Sequence, residues 1–372
     1  LRMDFRTKLQ FDFRDTNPEV DGADVFEFRR RRVGIEGRLF QDFEYELEYE
    51  IGREGEEAWR DAFVNWRRLR NVQVRAGKFK IPFGRDQLTP PAQLDFVNRS
   101  LIGRNLAPGR DAGAVAHGRF FDSGLSYEAG VFRRDGEISR FSGTPSSTGR
   151  EYAARVTGRP LRWKRVPQTL ALVELGAAVT TAVTRDSAPS LRGRSHTGEL
   201  FASNWFVRGR RNRFGAELHR ARGPVAVQAE WVRVREQRMG QGIRGNDLPD
   251  LLSRGWYGSA TWIVTGEKKD AHINPHRPFL RKGAGAWEVG ARYEQLRFDS
   301  AEHPGVPSRQ PRAASVLGAS DRAWTFGINW YLNRYSRIQF NGIREILEDP
   351  QRSPVPGSPR LWIRIVRLQF VM

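Results

Sequence analysis

The sequence predicts an all-β protein, a sixteen-stranded antiparallel barrel that spans a membrane. Three observations support this fold class. Apolar and polar residues alternate in segment after segment, short and long connections alternate between these segments, and the apolar positions are rich in aromatic side chains. Strands of a membrane barrel alternate lipid-facing and lumen-facing residues, so they contain no long apolar run. We therefore expect residues 1–372 to form one β-barrel domain.

The clearest alternation is the stretch DFEYELEYEI at 42–51. Every second residue is acidic, and aromatic or aliphatic residues lie between the acids. Successive side chains of a strand point to opposite faces of the sheet. The stretch therefore predicts one apolar face toward lipid and one charged face toward a water-filled lumen.

Sixteen segments alternate strongly enough to be predicted as strands. They lie near 3–13, 25–39, 42–51, 58–68, 72–79, 111–119, 124–133, 151–159, 170–181, 211–220, 225–236, 255–265, 286–298, 323–332, 335–347 and 360–371. Most are about ten to thirteen residues long, close to the length with which a tilted strand crosses a bilayer.

The connections between these strands alternate in length. Tight connections are predicted at 40–41, 69–71, 121–124, 223–224 and 333–334. Long polar connections are predicted at 14–24, 80–110, 134–150, 182–210, 237–254, 299–322 and 348–359. An even strand number, with short turns at one end and long loops at the other, is typical of bacterial outer-membrane barrels.

Two segments need a separate interpretation. Residues 198–207 (GELFASNWFV) also have strand character, but a seventeenth strand would move the tight turn at 223–224 to the long-loop end. We therefore assign 198–207 to a long loop. The connection at 266–285 is an exception to the alternation, because it is long although it lies at the short-turn end.

The aromatic residues favour a membrane barrel over a soluble β protein, which is the alternative fold. The apolar positions of the strands include Phe43, Tyr45, Tyr49, Trp66, Trp231, Trp287, Tyr293, Trp324, Trp330 and Phe370. Aromatic girdles at the two membrane interfaces explain such a composition, whereas a soluble sandwich buries a mainly aliphatic face. No run of about 18 apolar residues predicts a transmembrane helix.

The net charge of the chain limits the classes of partner that it can be expected to bind. The sequence has 62 Lys and Arg against 43 Asp and Glu, a formal net charge of +19. This balance suggests nucleic acid, an anionic membrane surface or small anions. A nucleic-acid-binding β protein is a distant alternative, because such proteins cluster basic residues on one face with interleaved aromatics. Here the basic residues are spread over nearly every strand and are offset by acids.

Enzyme activity and cofactor binding are not expected. The chain has no Cys, and no group of His and carboxylate residues has metal-ligand spacing. The sequence contains neither a glycine-rich phosphate loop nor a nucleophile elbow. We therefore expect no catalysis, no metal site and no cofactor.

Several motifs match a known family in the same order along nearly the whole chain. They include GKFKIPFG at 77–84, LAPGRDAG at 106–113, RRRRVGIEGRL at 29–39, DAFVNW at 61–66, WYGSATWIVTGE at 256–267, AWEVGARY at 286–293 and GINWYLN at 327–333. In these motifs the chain resembles the phosphate-selective porins O and P.

This resemblance implies a homotrimeric porin in the bacterial outer membrane. It implies that the long loop at 80–110 folds inward as a constriction and that arginines and lysines guide phosphate-like anions through the lumen. The periplasmic-side connection at 266–285 would contribute lysines. Small anions, outer-membrane lipid and lipopolysaccharide are then the expected partners, and nucleic acid is not.

Two features depart from the family pattern. The chain ends in Phe370-Val371-Met372, where this class usually ends in an aromatic residue, and the loop at 81–110 contains arginines but no lysine. A general or differently selective porin of the same fold therefore stays open as the alternative function. The chain begins at Leu1 without a leader pattern, so we expect any signal peptide to lie outside it.

Candidate residues for an anion path follow from their odd or even position along a strand, which decides the face they occupy, or from their place in a loop. The candidates are Arg30, Arg32, Arg38, Arg67, Arg75, Arg85, Arg110, Arg292, Arg337, Lys268, Lys269 and Lys282. Arginine suits this role because its guanidinium stays charged and its fork binds phosphate oxygens in pairs. The alternative for any one of them is an ion pair that braces the wall. Lys78 and Lys80 share the parity of Val74 and Ala76, so we expect them to point outward or to mark the end of a strand.

The same parity predicts an acidic stripe along one wall of the lumen. It consists of Asp42, Glu44, Glu46, Glu48 and Glu50. We expect the stripe either to brace arginines of neighbouring strands, such as Arg30, Arg32 and Arg38, or to lie opposite the anion path and confine it.

Overall fold

The computed structural model confirms the predicted fold class: in the part of the chain it describes, sixteen strands close into one antiparallel barrel. The structure describes residues 2–22, 26–122, 124–138, 148–162, 171–279, 282–301, 307–310 and 316–372. Neighbours in the barrel are neighbours in sequence, and the first strand pairs with the last to close the sheet.

The strands lie close to their predicted positions. Those of the barrel are β1 (Arg2–Asn17), β2 (Phe26–Leu39), β3 (Phe43–Glu50), β4 (Trp59–Trp66), β5 (Gln73–Lys80), β6 (Arg110–Phe120), β7 (Leu125–Phe132), β8 (Thr148–Gly158), β9 (Glu174–Pro189), β12 (Phe206–Arg222), β13 (Val225–Arg238), β14 (Leu248–Ile263), β15 (Ala286–Ser300), β16 (Ala319–Tyr331), β17 (Ser336–Leu347) and β18 (Arg360–Val371). Two short strands, β10 (Gly193–Arg194) and β11 (Leu200–Ala202), pair with each other in a separate two-stranded sheet.

Helical structure is confined to short pieces. Two helices of about one turn, α1 (Arg85–Leu88) and α2 (Leu101–Asn105), lie in the connection between β5 and β6. Nowhere in the described ranges is there a helix with the length and apolar character needed to cross a membrane.

The largest differences from the predicted strands are at β9, which ends at Pro189 rather than near residue 181, and at β14, which begins at Leu248 rather than near residue 255. The start of β12 also differs, because this strand begins at Phe206 rather than near residue 211. Its pairing with β13 shifts register between Arg208 and Arg211, and Gly209 has a positive φ of 118°. A bulge of this kind interrupts the alternation of faces, so the sequence pattern does not continue through it. Residues 198–205 lie in the long connection between two barrel strands as predicted, with Leu200–Ala202 forming β11, whereas Phe206 and Val207 belong to β12.

The prediction that 266–285 alone is long at the short-turn end was wrong. Because β8 ends at Gly158 and β9 begins at Glu174, the connection between them is long as well. Residues 163–170, which include the predicted start of this strand, lie outside the described residues.

The two faces of the wall differ in chemistry as the alternation predicts. Outward-facing apolar side chains such as Val33, Leu47 and Trp231 are exposed on the surface of the barrel. The inward positions are occupied largely by charged groups that are buried among loops and neighbouring strands, including Arg32, Glu48 and Arg213. A surface that meets lipid must be apolar, whereas the lumen can hold charge if each charge has a partner.

Closure of the barrel buries one of these charged pairs. Arg367 of β18 donates to both carboxylate oxygens of Asp12 of β1, with Nε–Oδ1 and Nη2–Oδ2 distances of 2.6 Å, and both side chains are almost fully buried. The two residues face each other across the seam between the first and last strands.

Replacing Arg367 by Gln is expected to cost about 3–5 kcal/mol of unfolding free energy, because it leaves the Asp12 carboxylate buried and uncompensated. Denaturant unfolding in detergent, followed by circular dichroism, measures this loss. The control is Arg2→Gln, which removes the exposed pair between Arg2 and Asp4 and is expected to cost about 0–1 kcal/mol. Equal losses in the two variants would show that the buried pair does not hold the seam.

Candidate anion pathway

The connection between β5 and β6, residues 81–109, folds into the barrel, and we call it the inward loop. Side chains of the opposite wall hold its backbone. Arg367 donates to the carbonyl of Val97 at 2.8 Å, and the side-chain oxygen of Asn341 accepts from the amide of Val97 at 2.8 Å. Both polar groups of one loop residue are thus satisfied by side chains of β17 and β18, which fixes the loop across the lumen.

Two predicted path residues support this loop. Arg337 donates to the carbonyls of Leu94 and Ala92 at 3.0 and 3.1 Å. Arg292 donates to the carbonyl of Asn98 at 3.0 Å. Several of the N–H donors of Arg292 and Arg337 are used by carbonyls of the inward loop. These two arginines therefore support the loop and have fewer donors left for a passing anion.

A second segment, the hairpin of β10 and β11, also folds inward, which the sequence did not indicate. The amide of Arg194 donates to the side chain of Asn105 in α2, and Asn105 returns a hydrogen bond to the carbonyl of Arg194, both at 2.9 Å. His196 is fully buried, with Nε2 at 2.9 Å from a carboxylate oxygen of Glu294 and its amide donating to Glu345 at 2.6 Å. The hairpin therefore packs on the inward loop and on the wall.

The acidic stripe is paired along most of its length with basic residues of neighbouring strands. Glu48 contacts Lys8 of β1 and accepts from Arg32 of β2 at 2.8 Å, and Glu50 accepts from Arg32 at 2.5 Å. This half of the stripe is buried. Glu48 and Glu50 therefore hold Lys8 and Arg32 against the wall.

The other half of the stripe is half-exposed. Glu46 pairs with Arg6 at 3.0 Å. Glu44 contacts Arg67 and lies 3.5 Å from the Nε of Arg38. Asp42 lies in the turn before β3, outside the strand that was predicted to carry it. These carboxylates stand nearer the short-turn end than Glu48 and Glu50.

A cluster of four cations, which we call the central basic cluster, lies where the inward loop meets the wall. Its members are Arg32, Lys80, Arg99 and Arg110. Lys80 and Arg99 donate to the same acceptor, the carbonyl of Thr89, at 3.0 and 2.6 Å. Arg110 and Arg32 lie within electrostatic reach of Arg99. Two positive groups thus converge on one carbonyl of the loop, and Arg32 and Arg110, each paired with a carboxylate, lie near them.

The charge of Arg99 is only partly compensated. Burial lowers the pKa of this loop residue to about 10; Asp86 opposes the shift, and the like charges of Arg110 and Arg32 add to it. Its Nη1 atom is buried and, as far as the structure is described, has no hydrogen-bond partner. Arg110 differs, since it forms a two-bond contact with Asp61 at 3.2 and 2.8 Å. Arg99 is therefore the member of the cluster with a free donor.

The sequence pattern did not select Arg99, and it left Lys80 either pointing outward or marking the end of a strand. Lys80 shares the parity of outward-facing Val74, but it is the last residue of β5, and its ammonium reaches the inward loop. The end of a strand next to an inward-folding loop was the available signal. Arg99 lies in irregular backbone, where alternation assigns no face.

Two cavities open at the short-turn end. The larger, of about 510 Å³, is bordered by the inward loop and by the connection 264–285, and we call it the basic cavity. Its charged lining consists of Arg85, Arg159, Arg222, Lys268, Lys269 and Arg292, with Asp86, Asp95 and Asp270. Thr89 also lines it, so the basic cavity adjoins the central basic cluster.

The smaller cavity, of about 300 Å³, is the acidic cavity. Its charged lining consists of Arg2, Arg38 and Arg75 with Asp4, Glu36, Glu44 and Glu46. The half-exposed part of the acidic stripe therefore borders a different opening from the one that borders the lysines of 264–285. The basic cavity has six Arg and Lys side chains against three acidic ones, whereas the acidic cavity has four acidic side chains against three arginines.

Lys268 and Lys269 lie in this connection but differ in their contacts. Lys269 contacts Glu288 and donates to Asp95 of the inward loop at 2.5 Å, so it ties the connection to the loop. Burial would lower its pKa, but Asp95 raises it above the ordinary value, so Lys269 stays charged. Lys268 is 74% exposed and lies 3.3 Å from Asp270.

The remaining predicted residues are not members of the cluster, although Arg30 lies within electrostatic reach of Arg32 and Arg99. Arg30 donates to Gln10 at 2.5 Å, and Arg85 donates to Glu174 at 3.0 Å. The guanidinium of Arg75 stacks over Phe63 at 4.8 Å from the ring centre. Lys282 is exposed in a left-handed turn with a φ of 61°. In the described ranges no group of three or more His, Asp and Glu residues could hold a metal ion.

Known proteins are similar to this chain in sequence and in fold. The family described as phosphate-selective porin O and P matches residues 1–359. Porin O of Pseudomonas aeruginosa is 22% identical over 346 residues, which cover 85% of this chain and 75% of that protein. The trimer form of the Vibrio cholerae outer-membrane protein OmpT has a TM-score of 0.61 at 9% identity, over 100% of this chain and 99% of that chain. The anion-selective porin from Comamonas acidovorans has a TM-score of 0.59 at 13% identity, with coverage of 100% and 99%.

The two halves of the acidic stripe are expected to differ in their contribution to stability. Replacing Glu48 by Gln should cost about 3 kcal/mol, because Lys8 and Arg32 stay buried after losing their carboxylate. Replacing Glu46 by Gln should cost less than about 1 kcal/mol, because its pair with Arg6 is half-exposed. Denaturant unfolding of both variants measures the difference. A Glu46 variant as unstable as the Glu48 variant would contradict this division.

Proposed function

This chain belongs to the phosphate-selective porin O and P family, and we propose that it is an anion-selective member that passes phosphate-like oxyanions by passive diffusion. Membership confirms the resemblance read from the motifs. The barrel is a porin channel of the bacterial outer membrane and not an enzyme. The selectivity is our proposal, and it rests on the residues below.

The observation that carries the proposal is the central basic cluster. Lys80 and Arg99 share one carbonyl, and a donor of Arg99 is left free. Like charges brought together by burial repel one another, so an anion placed among them would lower their energy. A guanidinium fork suits an oxyanion because it meets two oxygens at once.

The cluster and the basic cavity together form a route. Thr89 joins them, since its carbonyl anchors two cations and the residue lines the cavity. Arg222 and Lys268 stand farther toward the short-turn end of that cavity. Several sites of moderate strength favour conduction, because an anion must bind well enough to move inward and weakly enough to leave.

The positions of three lysines around the inward loop also support this route. The inward loop has no lysine of its own, yet Lys80 from the end of β5 reaches its carbonyls, and Lys268 and Lys269 approach from the opposite connection. Ammonium groups are thus present around the loop although they arise from outside it.

The assembly is proposed to be a homotrimer, as the family resemblance implies and as the trimer form of the similar barrel OmpT supports. The alternative function is a general or differently selective porin of the same fold. The acidic cavity is the observation that favours this alternative, because its four carboxylates outnumber its three arginines by one and give it a small net negative charge.

Replacing Arg99 by Gln is expected to weaken phosphate binding about tenfold, the effect of losing one charge-assisted hydrogen bond. Chloride current through single channels in planar bilayers is recorded while phosphate is added, and the half-blocking concentration is the readout. The variant should also show a smaller anion preference in its reversal potential under a salt gradient.

The control for Arg99 is Arg185→Gln, which removes an exposed arginine on the outward face of β9. It is expected to leave the half-blocking concentration unchanged. A cation-selective wild-type channel, or a chloride current that phosphate does not reduce, would refute the proposal. An Arg99 variant with wild-type block would move the site away from the central basic cluster.

Replacing Lys269 by Gln is expected to loosen the inward loop, because Asp95 and Glu288 would lose the cation that both contact. Single-channel recordings should show more current noise, and the unfolding free energy should fall by about 3 kcal/mol. Lys268→Gln is the matched control, since Lys268 is exposed and only its contribution to anion access should be lost. Quiet recordings and wild-type stability in the Lys269 variant would rule out an anchoring role.

A further inference from the structure

A row of arginines runs along the outer surface of the barrel near the long-loop end. Six consecutive strands, β13 to β18, each contribute one member. The members are Arg233, Arg254, Arg297, Arg322, Arg344 and Arg364. We call this set the outer arginine row.

Strand register makes the row continuous. Arg254 lies directly opposite Arg233 on one side and Arg297 on the other. At the three remaining crossings, the next arginine lies two residues closer to the short-turn end than the residue directly opposite. Barrel strands are tilted and staggered, so steps of this kind keep the row near one height in the membrane.

Most of the row is exposed and lacks a counter-charge. Arg297 lies 3.4 Å from Asp299, and Arg364 lies 2.7 Å from Asp15. The other four arginines are exposed and form no ion pair with any residue that the structure describes. An outward face with four uncompensated guanidinium groups calls for an anionic neighbour outside the chain.

Aromatic residues beside the row set its depth. Arg233, Arg254 and Arg322 each lie two residues from a tryptophan of the same strand and on its long-loop side; these tryptophans are Trp231, Trp256 and Trp324. Tyr293 of β15 packs between two of them, with its ring centre 5.5 Å from that of Trp256 in an edge-to-face contact and 4.8 Å from that of Trp324 in a tilted one. Such a girdle marks the membrane interface, where an arginine is tolerated far better than in the apolar middle.

We propose that the outer arginine row binds the phosphate groups of lipid headgroups in the outer leaflet, the chemistry that lipopolysaccharide carries. In an outer-membrane barrel the long-loop end faces the outside, so the row stands at the outer leaflet. With strands about 4.8 Å apart, six of them spread the arginines over roughly 24 Å. That width matches a layer of headgroups better than one small ion.

The row is independent of the proposed channel function because its side chains face away from the lumen. A lipid phosphate bound there contacts arginine forks at the interface while its acyl chains lie against the tryptophans below. Each arginine near an anionic membrane surface contributes roughly fivefold to affinity. Removing three should therefore weaken binding by at least about tenfold.

The test compares two triple variants of the full chain in detergent. Arg233→Gln, Arg254→Gln and Arg322→Gln together remove the centre of the row. The control removes three exposed arginines at the short-turn end: Arg68→Gln, Arg119→Gln and Arg334→Gln. Native mass spectrometry measures binding of bisphosphorylated lipid A and of the same lipid without its phosphates, and it also reports the assembly state.

The wild-type protein and the control are expected to bind the phosphorylated lipid at least about tenfold more tightly than the dephosphorylated one. The row variant should lose that difference while its circular dichroism and channel conductance stay unchanged. Equal binding of both lipids by the wild type would overturn the proposal. Unchanged lipid affinity in the row variant would also overturn the proposal. If the assembly state of that variant had changed, the row would be a contact between copies of the chain.

Discussion

The backbone of a membrane-spanning strand must find its hydrogen-bond partners inside the chain, because lipid offers none. In this protein the requirement is met by closing β1 onto β18, which leaves no free edge in the barrel. Closure also determines what the two faces of each strand contact, since every second residue then faces lipid and the others face the lumen. The apolar exterior and the charged interior follow from that one constraint.

Inside the closed wall, burial makes each charge depend on a partner. Arg211 contacts Asp135 and Glu236, and Arg367 is bound by Asp12, so these arginines hold the shape of the lumen. Arg99 differs from these two because one of its donors has no partner among the described residues, as is also true of Arg60 and Arg337. The interior therefore contains two kinds of arginine, and only contacts in three dimensions separate those that brace the wall from those that can meet a solute.

Alternation predicted the strands and their faces, because these properties repeat every two residues. It gave the pairing of Glu48 and Glu50 with Arg32 only as one of two possibilities. It failed where the repeat is broken by the bulge near Gly209. At Lys80 it left two possibilities, and the end of a strand is the one found. Alternation could not predict the residues that support the inward loop, for another reason. Asn341 and Val97 are far apart in the chain, and no local pattern records that they meet across the lumen.

The carbonyl of Thr89 has a consequence for how such a channel can change over time. Two cations depend on this oxygen, and it belongs to the backbone, so every residue that keeps the local fold supplies it equally well. A substitution at position 89 therefore leaves this carbonyl acceptor in place. Selectivity can evolve by exchanging Lys80 or Arg99 one at a time, while the point on which they converge persists.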